Sequence, residues 1–508
     1  MSAWSGIQSL ARRFLGVEEP EVADLAKIDA ELAPTAEPRP RSQRYTTVGA
    51  EPIEVLPEYE FVLEAIRGEC PAIFVTGRAG TGKSTLIRFL TEQIKNCAVV
   101  APTALAAINV HGSTIHSFFS IPPRTLNPDE ASEPRRQIVP VIEVLGALVI
   151  DEVSMVPPDL VDCISNTLKK VRRDPRPFGG VPVVFVGDLL QLPPVVSAPE
   201  VAQYYTDRYR SPYFFSADVF HETKLAPIEL TKVFRQAGRE FVDMLDRIRL
   251  NDSHRDAVAK INRDCYRDKE PDSDPALFLV PTNAAAKAIN TRNLEDLRSP
   301  LQVFDAIVEG RFDVQRDRFQ APHRLEIKEG AQILFVKNNK PYWVNGTLGR
   351  IIQIEDDRLR IEIDRTGNTV SVERAVWEKI QYEYDREEKR IVSTVVGSFK
   401  QFPIALGWAI TIHKSQGMTL DSVRIDLGRG AFCSGQTYVA LSRCRTLEGI
   451  SLDTPISMGD VKADAMILEF YKRLNPLRDQ NKEAQQGVAP QPAARSESDF
   501  SGSLPPST

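Results

Sequence analysis

The chain has 508 residues, of which 42% are hydrophobic and 26% are charged, so it is long enough for several domains with a large core. No apolar run approaches the roughly 20 residues that a membrane-crossing helix needs, which argues against a membrane protein. The net charge of −6 gives no general attraction for nucleic acid, so a nucleic-acid partner would need a local basic channel. The six scattered cysteines form no CxxC pair, which favours free thiols over a zinc site or a disulfide framework.

Both ends of the chain are predicted to be disordered tails, residues 1–50 and residues 476–508. The first contains the proline-rich stretch 33–40 with few large apolar side chains, and the second is again polar. Acidic residues between Glu18 and Asp24 argue against a transit peptide. We expect both tails to be solvated, with docking of other proteins as the alternative.

Residues 51–228 are predicted to form a parallel α/β lobe, called lobe one. The apolar spacing over 55–66 indicates a helix. Four short apolar runs follow, separated by helical stretches, and buried parallel strands have this continuous apolar pattern. The runs are 73–75, 98–100, 148–150 and 183–186.

A second α/β lobe, called lobe two, is predicted from residues 229–300 and 397–475. The apolar run 277–280 indicates its first strand, and a helix is expected to begin at Asn283.

The segment between these two parts, residues 301–396, is predicted to be an inserted small β-barrel. Apolar side chains alternate with charged ones over 359–363 and with a polar one again over 370–372, which is the pattern of a β-hairpin. Asn345 and Gly346 indicate another tight turn.

A phosphate-binding loop is indicated directly after the first apolar run. Residues 77–84 fit the pattern G-x-x-x-x-G-K-S between a strand and a helix. Glycines let backbone N–H groups converge on phosphate at a helix N-terminus, Lys83 adds a positive charge, and the Ser84 hydroxyl is a Mg²⁺ ligand. The residues expected to hold ATP with Mg²⁺ are Gly77, Gly80, Thr81, Gly82, Lys83, Ser84 and Thr85.

Three further polar residues complete a predicted hydrolysis site. Asp151 and Glu152 follow the run 148–150, where Asp151 would hold Mg²⁺ and Glu152 would polarise the attacking water. Gln191, in the loop after 183–186, can accept from water and donate to the γ-phosphate. Each alone is an ordinary polar strand end, and only the preceding phosphate-binding loop favours the catalytic interpretation.

These motifs resemble those of superfamily 1 helicases of the B branch, over roughly residues 55–455. The chain resembles the Pif-type (petite integration frequency) DNA helicases most, and the RecD-like helicases more distantly. The stretch from Ser154 through a helix at 159–173 to 177–180 resembles a Pif-type signature that RecD-like proteins lack. The other matching segments are 101–103, 114–119, 229–236, 281–283, 409–417 and 435–443.

The resemblance implies an ATP-dependent DNA helicase that moves 5′→3′ on single-stranded DNA. It implies two RecA-like lobes, a short wedge element at about 119–140 and a Src-homology-three-like barrel in lobe two. It adds the arginine fingers Arg235 and Arg443 to the catalytic residues Asp151, Glu152 and Gln191. The DNA contacts that it implies are Thr103, His116, Asn283, His413, Lys414 and Ser415.

One position departs from the family pattern. Relatives carry a glutamine in the helix before the phosphate-binding loop, where its amide reads adenine, and this chain has Glu58. A carboxylate accepts hydrogen bonds and does not donate them. The preference for ATP over other nucleoside triphosphates is therefore open.

Aromatic residues near the motifs have two possible roles, stacking on bases or packing in the core. Packing is expected for Phe118 and Phe119, and also for Tyr342 and Trp343.

Three functions remain as hypotheses: a helicase acting on single-stranded DNA and on forked or tailed duplexes, a translocase that strips proteins or RNA, and a nucleotide-gated clamp. Glu152 and two catalytic arginines argue against the clamp, because a clamp needs no water-activating base. We expect a monomer acting in DNA replication, repair, recombination or genome maintenance, including telomeres and G-quadruplex DNA. Its place would be the nucleoid of a bacterial cytoplasm, or a eukaryotic nucleus or mitochondrion.

Overall fold

The computed structural model describes residues 53–474, with the exception of 123, 127–133, 197, 235, 237, 268–276, 311–320, 340, 365 and 386–389. Both predicted tails, Arg235 and the middle of the predicted wedge element therefore lie outside the described residues.

Lobe one is built on a six-stranded parallel sheet. Its strands are β1 (Ala72–Gly77), β2 (Cys97–Ala101), β3 (Ser113–Thr114), β4 (Ala147–Ile150), β5 (Val183–Val186) and β6 (Ala226–Leu230). They are arranged in the order β3-β2-β4-β5-β1-β6. The four apolar runs are confirmed as strands, whereas β3 and β6 were not predicted. Because β6 pairs with β1 through Leu230, the predicted end of lobe one at 228 is two residues too early.

Helices cover both faces of this sheet. They are α1 (Pro57–Arg67), α2 (Lys83–Gln93), α3 (Ala104–Asn109), α4 (Ile115–Phe119), α5 (Val139–Glu143), α6 (Pro158–Arg172), α7 (Pro199–Tyr209) and α8 (Val219–Glu222). Phe118 and Phe119 are buried, so the packing expectation is confirmed for both.

The Pif-type signature forms a short 3₁₀ turn, Pro177–Gly180, against α6. Phe178, Gly179 and Gly180 all have positive φ. This backbone turns the Phe178 ring into the core, where it lies 5.9 Å from the ring of Phe185. Gly179 is required because a Cβ there would lie 2.6 Å from the Leu168 carbonyl oxygen.

Lobe two begins with two helices, a strand and a third helix: α9 (Arg239–Leu250), α10 (Arg255–Cys265), β7 (Leu277–Val280) and α11 (Asn283–Asp296). The predicted strand 277–280 and the predicted helix start at Asn283 are both confirmed.

The chain then enters an all-β insert. Its strands are β8 (Gln302–Asp305), β9 (Ile307–Gly310), β10 (Arg324–Ile327), β11 (Gln332–Phe335), β12 (Leu348–Ile354), β13 (Arg358–Ile363), β14 (Thr369–Glu373), β15 (Ala375–Asp385), β16 (Arg390–Gln401) and β17 (Ile404–Leu406). Antiparallel pairing gives the sheets β14-β13-β12-β11-β17, β15-β16-β9 and β10-β8. The predicted hairpin is confirmed as β13 and β14. A Src-homology-three-like shape for the insert stays a prediction.

The insert ends later than the sequence suggested. The predicted boundary at 396 falls inside β16, and β17 pairs with β11. The insert therefore continues through Leu406, because these residues complete its sheets. In its core Trp343 stacks on Phe335 at 4.5 Å, which confirms packing for that residue. Tyr342 is 64% exposed, so the packing prediction is wrong there.

Lobe two resumes with three strands and a helix, β18 (Ala409–Thr411), β19 (Val423–Ile425), α12 (Gln436–Leu441) and β20 (Ile450–Leu452). The parallel sheet has the order β18-β7-β19-β20. The loops after β7, β18 and β19 therefore lie together at its carboxyl-terminal edge, where ligands bind in open α/β sheets.

The long hairpin of β15 and β16 reaches back to lobe one. The hydroxyl of Tyr382 lies 3.3 Å from the amide nitrogen and 3.4 Å from the carbonyl oxygen of Val99 in β2. The Tyr382 ring lies 5.6 Å from that of Phe118, edge to face. The amide of Ile391 donates to the Asn96 side chain at 3.1 Å. This contact between insert and lobe one was not predicted.

Residues 464–474 belong to a second compact unit and contain the helix α13 (Ala465–Leu474). Among the described residues, no helix is both long and apolar enough to cross a membrane.

The signature turn generates a stability prediction. Gly179→Ala places a methyl group against the Leu168 carbonyl in a left-handed backbone, so we expect the free energy of unfolding to fall by about 1–3 kcal/mol. Urea unfolding followed by circular dichroism measures the loss. Gly68→Ala is the control, because Gly68 has φ −80° and its added methyl would make only ordinary contact. Equal stability of the two variants would contradict the assignment.

Candidate active site and nucleic-acid interface

The phosphate-binding loop lies between the end of β1 at Gly77 and the start of α2 at Lys83, so the predicted strand–loop–helix context is confirmed. Gly82 has φ +90°, and a Cβ there would lie 2.5 Å from the Tyr59 hydroxyl. That hydroxyl donates to the Gly82 carbonyl at 2.8 Å. Tyr59 therefore holds the loop from α1, a role that its sequence position, one apolar residue in a helical pattern, did not indicate.

Lys83 lies inside the loop. Its ammonium donates to the carbonyl oxygens of Gly77 at 2.8 Å and Arg78 at 3.0 Å. Burial lowers the pKa of Lys83, and nearby carboxylates oppose that shift, Asp188 first. The lysine is thus held by acceptors that a phosphate group would replace.

The residues predicted to bind Mg²⁺ offer hard oxygen donors. Asp151 follows β4 and is buried, and burial together with the Glu152 carboxylate raises the pKa of Asp151. Ser84 lies in the first turn of α2. Within the described residues no group of three or more His, Cys, Asp or Glu side chains could hold a metal. The donor set fits Mg²⁺ that takes most of its ligands from phosphates and water.

Glu152 and Gln191, predicted to act on the attacking water, are connected by a residue that sequence reasoning did not assign. The side-chain amide nitrogen of Gln416 lies 3.3 Å from Glu152 Oε2 and 3.3 Å from Gln191 Oε1. Gln416 belongs to lobe two, and the other two residues belong to lobe one. The position of Gln416 within the motif 409–417 was the one sequence feature that pointed to a role for it. That its partners are Glu152 and Gln191 is visible only in the folded structure.

A buried ion pair also crosses between the lobes. Arg249 of α9 donates to Asp188, which follows β5, with a shortest distance of 2.8 Å. Both side chains are at most 2% exposed. Burial alone would raise the pKa of Asp188, but the guanidinium of Arg249 outweighs it and holds that pKa below its usual range.

Lobe two contacts the phosphate-binding loop directly as well. The amide of Ala79 donates to the Tyr438 hydroxyl at 3.2 Å, and Arg78 forms an ion pair with Asp246 of α9. The amide of Phe234 donates to the Gly80 carbonyl at 2.8 Å. The position of the phosphate-binding loop is therefore linked to that of lobe two by contacts of the loop backbone and of the Arg78 side chain.

The predicted arginine finger Arg443 is buried in lobe two. It donates to the carbonyls of Val439 at 2.8 Å, Ser415 at 3.3 Å and Met418 at 3.4 Å. To reach a phosphate it would have to exchange these partners, and its catalytic role stays a prediction.

The predicted DNA contacts fall into two groups. On lobe one, Thr103 follows β2 and caps α3, with its hydroxyl accepting from the Ala106 amide at 3.2 Å. His116 lies on α4, half-buried, and burial lowers its pKa. On lobe two, Asn283 and Lys414 are exposed at the carboxyl-terminal edge of the sheet.

His413 and Ser415 differ in how accessible they are. Burial lowers the pKa of His413, and its ring stacks on Phe432 at 6.0 Å with an interplanar angle of 8°. Phe432, which sequence reasoning missed, is 58% exposed. Ser415 is fully buried, and its hydroxyl donates to the Ile412 carbonyl at 2.8 Å. A direct DNA contact from the Ser415 side chain does not fit this arrangement.

Together these features define a P-loop nucleoside triphosphatase with two parallel-sheet lobes. A family profile described as PIF1-like helicase matches residues 58–257. The chain is 31% identical over 436 residues to the ATP-dependent DNA helicase Pif1 of Bdellovibrio bacteriovorus, covering 84% of this chain and 93% of that protein. The chain therefore belongs to the PIF1-like helicase family.

A longer relative is the ATP-dependent DNA helicase PIF1 of Emericella nidulans, 30% identical over 480 residues and 81% of this chain. The chain spans 62% of the length of that relative.

Solved structures of Bacteroides sp Pif1 have the same fold. The complex with ADP-AlF4 is 34% identical, covers 85% of this chain and 98% of that chain, and has a TM-score of 0.75. The form bound to ssDNA is 35% identical, covers 83% and 97%, and has a TM-score of 0.61. A structure described for DNA unwinding at forked dsDNA is 34% identical, covers 84% and 97%, and has a TM-score of 0.60. The predicted class of two RecA-like lobes is confirmed.

The buried ion pair generates the second prediction. Arg249→Met leaves the Asp188 carboxylate buried without its cation, so we expect a loss of about 3–5 kcal/mol in the free energy of unfolding, measured with urea. Arg247→Met is the control, since Arg247 is exposed on the same helix and should change stability by about 0.5 kcal/mol or less. Adding Asp188→Asn to Arg249→Met should recover part of the loss, and no recovery would contradict the pairing argument.

Proposed function

We propose that this protein is an ATP-dependent DNA helicase that hydrolyses ATP between its two lobes and moves along single-stranded DNA. The observation that carries the proposal is the pair of cross-lobe contacts at the site, Gln416 with Glu152 and Arg249 with Asp188. They link the water-activating group of one lobe to the position of the other. The family name and the Bacteroides complexes with ADP-AlF4 and ssDNA support it.

The chain's own residues divide the chemistry among them. Lys83 and the loop N–H groups bind the phosphates, and Ser84 with Asp151 would hold Mg²⁺, which would supply positive charge at the phosphates when bound. Glu152 accepts the proton of the attacking water, and Gln191 orients that water. Arg443, with Arg235, neutralises charge that builds on the equatorial oxygens.

Movement requires two grips on the DNA. Thr103 and His116 hold one stretch of backbone on lobe one, and Asn283, His413 and Lys414 hold another on lobe two. Opening and closing of the cleft shifts one grip relative to the other, as in hinge closure around a ligand. The expected partners are single-stranded DNA and forked or tailed duplexes; a Bacteroides Pif1 structure bound to ssDNA and a Pif1 structure described for unwinding at forked dsDNA support the first two. We propose 5′→3′ polarity from the family resemblance.

A translocase that strips proteins or RNA is the second candidate, and a nucleotide-gated clamp is the third. Engagement of Glu152 from lobe two favours turnover over clamping, because a clamp has no use for an aligned base. We further propose a monomer acting in replication, repair, recombination or telomere maintenance, including G-quadruplex DNA. It would work at the nucleoid in bacteria, or in the nucleus or mitochondrion in eukaryotes.

The third prediction concerns Lys83. Lys83→Ala should abolish ATP hydrolysis and unwinding while single-strand binding without nucleotide persists, because the DNA-contact residues lie elsewhere. Phosphate release and fluorescence anisotropy measure the two properties. Lys95→Ala is the matched control, since Lys95 is an exposed lysine of the same lobe. Near-normal hydrolysis by Lys83→Ala would overturn the site.

The fourth prediction concerns direction. Duplexes with a 5′ single-stranded tail should be unwound, and otherwise identical duplexes with a 3′ tail should not. Strand displacement with a fluorescent strand measures both, and a blunt duplex sets the background. Preference for the 3′ tail would place the protein outside the proposed polarity, whereas DNA-stimulated hydrolysis with no unwinding of either would favour the stripping translocase.

A further inference from the structure

The loop after β18, residues 412–417, carries residues of both proposed sites. Its first part has Lys414, exposed to solvent, and His413, stacked on the exposed ring of Phe432. Its last part has Gln416, whose amide nitrogen lies within hydrogen-bond distance of Glu152 and Gln191 in lobe one. One short segment therefore connects a nucleic-acid surface to the water-activating residues.

This 412–417 loop is a closed unit. The Ser415 hydroxyl donates to the Ile412 carbonyl at 2.8 Å, and the backbone amide of Gln416 donates to the His413 carbonyl at 3.3 Å. The Lys414 amide donates to the Thr411 hydroxyl at 3.2 Å. The guanidinium of Arg443 also donates to the Ser415 carbonyl at 3.3 Å. Because these bonds fix the loop internally, a displacement of His413 moves Gln416 with it.

The backbone at Phe432, whose ring stacks on His413, is also held by hydrogen bonds. The amide of Phe432 donates to the Gln436 side chain at 3.0 Å, and the amide of Ala431 donates to Asp460 at 2.8 Å. An exposed aromatic ring that is fixed in this way is suited to stack on a nucleobase, and such stacking contributes about 1–3 kcal/mol per base. A base on this ring would also press on the His413 imidazole behind it.

The side-chain amide of Gln416 is chemically suited to position Glu152 and Gln191. It is the donor in both contacts, one to a carboxylate and one to an amide oxygen. Both distances are 3.3 Å, slightly longer than the usual range of about 2.7–3.2 Å for such bonds. Catalytic hydrogen bonds are often long before the reactive complex forms and shorten within it. A small shift of the loop would shorten them.

We propose that Gln416 is the positioning residue through which bound DNA stimulates hydrolysis, an inference that rests on the proposed function. DNA held by Phe432, His413 and Lys414 fixes the 412–417 loop. Gln416 then fixes Glu152 and Gln191 around the attacking water. Gln416 touches no reacting atom in this account, and it acts only through these two side chains.

The test compares steady-state ATP hydrolysis of the full chain with and without oligo-dT. In Gln416→Leu, the ratio of DNA-stimulated to basal turnover should fall by about tenfold or more, the effect of losing one hydrogen bond to a charged group. The KM for ATP and the Kd for oligo-dT should stay within about twofold of the parent. Gln416→Glu should fail equally, because it keeps the length but cannot donate to Glu152. Gln353→Leu, at an exposed glutamine of the insert, is the matched control.

The DNA end has a different signature. Phe432→Ala should raise the oligo-dT concentration for half-maximal stimulation by about fivefold or more, from loss of stacking, and leave the plateau high. Gln416→Leu should lower the plateau instead.

Each result is decisive. An unchanged ratio in Gln416→Leu, with basal and stimulated rates falling together, overturns the coupling role and makes Gln416 a general contributor to hydrolysis. A raised KM or Kd overturns it in favour of a structural role. Absence of DNA stimulation in the parent chain would sink the proposed function itself, which separates the two failures.

Discussion

The buried ion pair between Asp188 and Arg249 is the contact on which the relation of the two lobes depends. Each charge has lost its water, and removing one partner of such a pair costs about 3–5 kcal/mol. Asp188 is also the first of the carboxylates that oppose the lowered pKa of Lys83. The carboxylate is therefore shared between a lysine of lobe one and an arginine of lobe two. A change in the charge of Lys83 therefore alters the electrostatic environment of Asp188, the carboxylate that pairs with Arg249 of lobe two.

The helix α12 of lobe two makes further close contacts with the loops of lobe one that carry the site. A Cβ at Gly435 would collide with the backbone carbonyls of Leu190 and Gln191, so the start of α12 can approach the loop after β5 only as glycine. The Tyr438 hydroxyl, one turn along α12, accepts from the Ala79 amide of the phosphate-binding loop. Backbone and side chain of the same short helix thus contact both loops of the site. This explains why the motif 435–443 places a glycine and a tyrosine three positions apart.

Sequence reasoning succeeded where the signal was local. The strand, glycine loop and lysine around 72–84 are neighbours in the chain, and an apolar run is enough to indicate a buried strand. It failed where partners come from different lobes. Gln416 lies 264 residues from Glu152, and nothing in either segment indicates the other. The insert boundary at 396 was wrong for a related reason, because β17 belongs to the insert only through its pairing with β11. Arg249 was invisible because an arginine at the end of an amphipathic helix has the pattern of a solvated residue.

Two separate regions hold lobe one against the rest of the chain, and their strengths differ. In the cleft there is a buried charged pair. At β2 the hairpin contributes neutral contacts, namely the Tyr382 hydroxyl at 3.3 and 3.4 Å from Val99, the Tyr382 ring against Phe118, and the Ile391 amide on the Asn96 side chain. Neutral hydrogen bonds contribute about 0.5–1.5 kcal/mol each, well below the cost of an orphaned buried charge. Losing one charge of the cleft pair therefore costs more than losing any one hydrogen bond of the hairpin. The insert leaves lobe two after α11 and returns at β18, so the strand that precedes the 412–417 loop is also the strand through which the hairpin rejoins lobe two.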